Sequence, residues 1–218
     1  MSRNVRPRVL IMGACSAVGR ACAEALHSHR AELILSDHDG LALLALSETL
    51  GAAGRYCDIL SETNVDLFAA EILDEFQTLD VLINAAGSGF ERTLGMYRLS
   101  NALLPALKND QGRTFILNVP PAEHASGANV SSIEAYWRLC GALESETRGS
   151  LARLRIACPQ RLQIGTIKAA AQAVGEYEFD GIEPSARDSA ASLATRIVSL
   201  IYFSRSPDRR SALLAQCR

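Results

Sequence analysis

Three small residues follow the first apolar run of the chain. Gly13, Ala17 and Gly19 lie in "VLIMGACSAVGRACAEAL", where a strand pattern changes into a helical one. Glycine permits a tight turn, and the N-terminus of the helix that follows offers free N–H groups and a positive dipole potential. Such a turn can bind a pyrophosphate group. The alternative is a strand-to-helix turn that needs small residues for packing alone.

An aspartate ends the second apolar run. Asp37 lies 24 residues after Gly13, at the end of "ELILSD". In a dinucleotide site, a carboxylate at this place accepts hydrogen bonds from the adenosine ribose and repels a 2′-phosphate. The glycine turn and Asp37 together predict a site that prefers NAD to NADP. The alternative is that Asp37 is a turn residue leading into "DHDG".

A tyrosine in a later helical pattern is a candidate for acid–base chemistry. Tyr136 stands in "SSIEAYWRLCGALESETRGSLARL", with Cys140 four residues later. A phenol has a pKa of about 10 and becomes an effective acid–base group when a nearby positive charge lowers that pKa. A neutral thiol supplies no such charge. Tyr136 is therefore either an active-site acid or a core aromatic.

Apolar runs of strand length alternate with longer helical patterns. Because these runs show no polar face, they predict a parallel sheet with helices on both faces, which is a doubly wound α/β (Rossmann) fold. Its ligand should lie at the carboxyl ends of the strands, where the strand order reverses. We expect one domain over residues 1–218. The predicted strands are residues 8–12, 32–36, 55–59, 80–87, 113–119 and 154–158.

Composition narrows the classes of partner. A net charge of -2 over 218 residues provides no basic surface for nucleic acid or an anionic membrane. Gly13 and Ser16 interrupt the first apolar run, which predicts a cytoplasmic protein without a signal segment or membrane span. The six cysteines are irregularly spaced with no histidine at a metal-ligand interval, which predicts reduced thiols and no metal site.

The motifs of the first 87 residues resemble those of the short-chain dehydrogenase/reductase family. The family's Thr-Gly-x-x-x-Gly-x-Gly stands here as residues 12–19, its aspartate after the third strand as Asp58, and its Asn-Asn-Ala-Gly as residues 84–87. The resemblance implies that residues 1–87 bind the cofactor and that residues 88–218 form a divergent catalytic half. The implied cofactor contacts are Gly13, Ser16, Ala17, Val18, Gly19, Asp37, Asp58, Ile59, Asn84, Ala85, Ala86 and Gly87.

Beyond Gly87 the family's catalytic residues are largely replaced. The segment "CGALESETRGSLARLRIACP" resembles a family helix and strand, and this alignment puts Tyr136 at the catalytic tyrosine and Cys140 at its lysine. That lysine holds the nicotinamide ribose and lowers the tyrosine pKa. Pro120 and Pro121 follow the fifth strand where the family has its serine. The segment before that strand is short, so the usual position of the catalytic asparagine is missing.

A histidine lies near the vacated serine position. Counting back 13 residues from Tyr136 reaches Glu123, and His124 is next to it. One hypothesis is that His124 polarises a carbonyl or relays a proton. The alternative is a solvated loop residue in "PAEHASG".

Two functions from different classes follow. The first is an NAD-dependent oxidoreductase that moves hydride between the nicotinamide and a carbonyl or alcohol, with Tyr136 as acid–base. The second is a catalytically silent relative that serves as a dinucleotide sensor or interaction protein.

A third possibility is that Cys140 acts as a nucleophile, but a reactive thiolate would need an electropositive neighbourhood that its sequence context lacks. No motif indicates the substrate. We expect the family's final strand, which commonly joins subunits, to be missing, so assembly into a homo-oligomer stays open.

Overall fold

The computed structural model describes residues 6–86, 90–107, 114–118, 138–139, 141–143, 145–146, 152–156 and 190–203. Six strands form one parallel sheet in the order β3-β2-β1-β4-β5-β6. The order reverses between β1 and β4, which confirms the predicted doubly wound fold. The strands are β1 Arg8–Met12, β2 Glu32–Asp37, β3 Ala53–Tyr56, β4 Val81–Asn84, β5 Thr114–Asn118 and β6 Ala152–Ile156.

Helices cover both faces of the sheet. They are α1 Ala17–Ser28, α2 Gly40–Leu50, α3 Glu62–Phe76, α4 Phe90–Ala102, α5 Leu104–Leu107 and α6 Ala190–Phe203. Because successive strand side chains point to opposite faces, Val9 and Ile11 pack with α1, α2 and α6, whereas Leu10 and Met12 pack with α3, α4 and α5. None of the helices in the described ranges is long and apolar enough to cross a membrane.

Capping side chains define where three of the helices begin. Ser16, Asp39 and Ser61 precede α1, α2 and α3, and each side chain accepts a hydrogen bond from the N–H three residues later. These bonds satisfy one of the N–H groups that have no partner within the helix. At the other end of α2, Gly51 adopts a left-handed φ of 58°, which terminates the helix.

Five of the six strands differ from their predicted bounds. β2 differs by one residue at one end and β5 by one residue at each end, β4 ends at Asn84 instead of residue 87, and β3 and β6 are displaced by two or three residues at each end. β3 ends at Tyr56 instead of Ile59 because the chain turns into α3, with the Asp58 N–H donating to Asn64 Oδ1 at 2.9 Å. β6 covers residues 152–156 instead of 154–158, because Arg153 pairs with Phe115 in the ladder although it lies before the predicted apolar run. The expected loss of a final strand concerns residues after 203, which lie outside the described ranges.

Candidate functional site

The glycine turn lies between the ends of two neighbouring strands. Gly13 has a φ of +79°, and a side chain there would overlap the backbone of Ala85 and Ala86 at the end of β4. The N–H groups of Gly13 and Ala14 both donate to the Ser36 carbonyl in β2, at 2.9 and 3.0 Å. Backbone conformation and close approach therefore both require glycine at position 13.

Unused N–H groups mark the start of α1. The Ser16 hydroxyl accepts a hydrogen bond from the Gly19 N–H at 3.0 Å. Gly19 lies so close to the Gly13 carbonyl that a side chain would overlap it. The backbone N–H groups of Ala17 and Val18 have no acceptor among the described residues. An anion could therefore bind at the N-terminus of α1.

The Asp37 carboxylate is almost fully buried, with 5% of the residue exposed. Its Oδ2 accepts the Cys15 N–H at 2.9 Å, and its Oδ1 accepts the Asp39 N–H at 3.2 Å. The His38 Nδ1 lies 2.9 Å from the same Oδ1. A carboxylate offers about four acceptor positions, and the Cys15 side chain also hydrogen-bonds to Asp37. The His38 ring is mostly exposed and could turn away to free one position for a further donor.

These groups border one cleft of about 420 Å³ at the carboxyl ends of the strands. Five of the predicted contact residues line it, namely Gly13, Ser16, Asp37, Ile59 and Ala86. Ala17, Val18, Gly19, Asp58, Asn84 and Ala85 do not line this cleft. Gly87, His124, Tyr136 and Cys140 lie outside the described residues.

Two of the predicted residues that do not line the cleft have structural contacts instead. Asp58 Oδ1 accepts the Leu60 N–H at 3.0 Å, within the turn that leads to α3. Asn84 is buried, and its Nδ2 donates to Ser100 Oγ at 3.0 Å. Ser100 in turn donates to the Met96 carbonyl at 2.7 Å. Asn84 therefore connects the end of β4 to α4.

Sequence reasoning missed five residues of the cleft with ionisable side chains, which are Cys15, His38, Asp39, Cys57 and Arg92. Arg92 Nη1 donates to the Ala86 carbonyl at 3.1 Å. A signal for Arg92 was available, because the short segment after β4 brings the charged start of α4 next to the strand end. Burial, and then the negative charge of Asp37, raise the pKa of the Cys15 thiol to about 11, so Cys15 is not a ready nucleophile.

Comparison with known proteins supports a relation over the first half of the chain. Residues 13–102 match the family model described as enoyl-(acyl carrier protein) reductase. The mouse (Mus musculus) dehydrogenase/reductase SDR family member 7B is 30% identical over 125 residues, which cover 45% of this chain and 39% of that protein. The chain thus spans less than half the length of this relative.

Solved structures share the fold. A short-chain dehydrogenase/reductase from Burkholderia phymatum, in complex with NAD, has a TM-score of 0.68 at 21% identity, covering 94% of this chain and 89% of that one. The Pseudomonas aeruginosa RhlG/NADP complex has a TM-score of 0.70 at 18% identity, covering 89% and 88%. The matched segment and the relatives support a member of the short-chain dehydrogenase/reductase family over residues 13–102, and the solved structures share its fold.

Proposed function

We propose that the cleft binds a nicotinamide dinucleotide, with the pyrophosphate at the N-terminus of α1 and the adenosine ribose at Asp37. The observation that carries this proposal is that the glycine turn, the Ser16 cap and the Asp37 carboxylate border the same cleft. Gly13 lets the turn pack against the end of β4, and the N–H groups of Ala17 and Val18 provide donors for phosphate oxygens. The Burkholderia and Pseudomonas relatives, in complex with NAD and NADP respectively, support this class of ligand.

The carboxylates at the rim favour NAD(H) over NADP(H). Asp37 and Asp39 both line the cleft, and Asp37 is held by the Cys15 and Asp39 N–H groups. A 2′-phosphate on the adenosine ribose would come close to these negative charges. A free 2′-hydroxyl would instead donate to Asp37 in place of the exposed His38 ring.

We further propose that the chain is an oxidoreductase acting on a carbonyl or alcohol. A bound nicotinamide would supply hydride chemistry, and in the reducing direction Tyr136 would donate a proton to the carbonyl oxygen of the substrate. With Cys140 at the position of the family's lysine, no cation from that position lowers the tyrosine pKa, so turnover should be slow. General acid–base assistance is typically worth about 10²- to 10⁴-fold in rate.

A second candidate function is a catalytically silent protein that binds a dinucleotide as a sensor or interaction partner. The observation that favours it is the replacement of two family residues, with Cys140 in place of the lysine and Pro120-Pro121 in place of the serine. The cleft described above would be the same in both cases.

Two measurements on the purified full chain test the proposal. The first is a titration with NADH and NADPH that follows nicotinamide fluorescence, with tighter NADH binding expected. The second is a turnover assay on a panel of carbonyl compounds, comparing the unaltered protein with Tyr136→Phe. Turnover abolished by the substitution supports the oxidoreductase, and NADH binding without turnover supports the silent relative. If neither cofactor binds, the proposal is wrong.

A further inference from the structure

A partly buried arginine shares the cleft with the N-terminus of α1. Arg92 lies in the first turn of α4, and its Nη1 donates to the Ala86 carbonyl at 3.1 Å. Ala86 also lies against Gly13, since a side chain on Gly13 would overlap the Ala86 backbone. The guanidinium is therefore held one contact away from the glycine turn, at the border of the cleft.

The charge of Arg92 is not balanced within the described part of the chain. No carboxylate there lies within 4.0 Å of its guanidinium, whereas Arg8, Arg55 and Arg98 all form ion pairs. A guanidinium has five N–H donors, and Ala86 is the one acceptor described for it. A partly buried cation with unused donors is suited to an anionic ligand.

We infer that Arg92 binds the pyrophosphate of the dinucleotide, opposite the N-terminus of α1. The inference rests on the proposed function, because it assigns a further residue to the same ligand. The pyrophosphate is the anionic group that passes over the turn from Gly13 to Ser16, and Arg92 borders that turn through Ala86. A 2′-phosphate would lie beside the Asp37 and Asp39 carboxylates, so Arg92 is assigned to the pyrophosphate and does not select NADP.

The test compares ligands with and without the pyrophosphate. Dissociation constants of ADP, adenosine, NADH and NADPH are measured by calorimetry for the unaltered protein, Arg92→Gln, Arg92→Lys and Arg98→Gln. Arg98 is the matched control because it lies on the same helix and pairs with Glu62 at 3.2 Å, away from the cleft lining. Thermal unfolding of each variant reports whether it is folded.

We expect Arg92→Gln to raise the dissociation constants of ADP and NADH by roughly tenfold or more, which is the usual effect of losing a charge-assisted hydrogen bond. Adenosine binding should stay the same, Arg92→Lys should recover part of the ADP affinity, and Arg98→Gln should have no effect. The salt dependence of ADP binding should also fall in Arg92→Gln, because one ionic contact is lost.

Unchanged ADP affinity in a folded Arg92→Gln variant would overturn the inference and leave the proposed function intact. An equal loss of adenosine affinity would also overturn it, because Arg92 would then contact the adenosine. A loss of affinity confined to NADPH would overturn it as well, because Arg92 would then contact the 2′-phosphate. If the unaltered protein binds neither ADP nor NADH, the proposed function itself fails.

Discussion

The Cys15 N–H donates to Asp37 Oδ2 at 2.9 Å, and this bond joins the glycine turn after β1 to the end of β2. Asp37 also accepts the N–H of Asp39, the residue that caps α2. One buried carboxylate therefore supports two loops at the rim of the cleft. The same carboxylate is the proposed acceptor for the ribose, so its structural and binding roles cannot be separated by deleting the side chain alone.

Replacing Asp37 by alanine should lower the free energy of unfolding. The substitution leaves the Cys15 and Asp39 N–H groups without their acceptor, and such a loss typically costs about 1–3 kcal/mol. Urea unfolding monitored by circular dichroism measures the change. The control is Asp66→Ala on the exposed face of α3, for which we expect a change within about 0.5 kcal/mol. Equal stability of the two variants would contradict a structural role for Asp37.

Three glycine-to-alanine substitutions separate the cost of overlap with neighbouring backbone from the cost of a left-handed backbone conformation. Gly13 has a positive φ and no space for a side chain, Gly51 has a positive φ and open space, and Gly40 has neither constraint. Alanine in a left-handed conformation costs roughly 1–2 kcal/mol, and overlap with the backbone adds to that cost. Thermal unfolding should therefore rank the losses as Gly13 greatest, then Gly51, then Gly40 near zero. A Gly13→Ala variant as stable as Gly51→Ala would disagree with the close approach to Ala85.

The architecture could be predicted from the sequence because strands that are buried on both faces of a sheet consist of continuous apolar runs. Every residue of β4 is buried, and its continuous apolar pattern was recognisable from the sequence alone. β6 was misplaced because Ala152 and Arg153 belong to the strand, whereas the apolar pattern begins at Leu154. The closeness of Gly13 and Asp37 followed from the fold, whereas the contact of Arg92 with Ala86 involves a charged side chain that an apolar pattern does not consider.

Replacing Ser100 by alanine should destabilise the connection between β4 and α4. Ser100 is buried and accepts a hydrogen bond from Asn84 Nδ2 while donating to the Met96 carbonyl. Loss of this acceptor inside the core should lower the free energy of unfolding by about 1–3 kcal/mol. Ser199→Ala is the matched control, since this hydroxyl donates to the carbonyl four residues earlier at an exposed site of α6. A difference below about 0.5 kcal/mol between the two variants would indicate that the Asn84 bond adds little.

The reactivity of Cys15 should report the charge of Asp37. Burial and the Asp37 carboxylate raise the Cys15 pKa to about 11, whereas burial alone raises the Cys22 pKa to about 12. Asp37→Asn removes the negative charge, so iodoacetamide at pH 8 should alkylate Cys15 faster in this variant, with Cys22 unchanged. Mass spectrometry of the labelled peptides over time measures both rates.

Cys22 is the internal control in this experiment, because general unfolding would speed up the alkylation of both thiols together. A Cys15 alkylation rate that Asp37→Asn leaves unchanged would show that burial alone controls this thiol.

The raised pKa values also predict how the free energy of unfolding depends on pH. A thiol that ionises near pH 8.5 when unfolded, about its ordinary pKa, keeps its proton in the native state up to about pH 11 at Cys15. This contribution to stability is complete below about pH 8.5 and is lost as the pH rises toward 11, because the unfolded state then binds fewer protons than the native state.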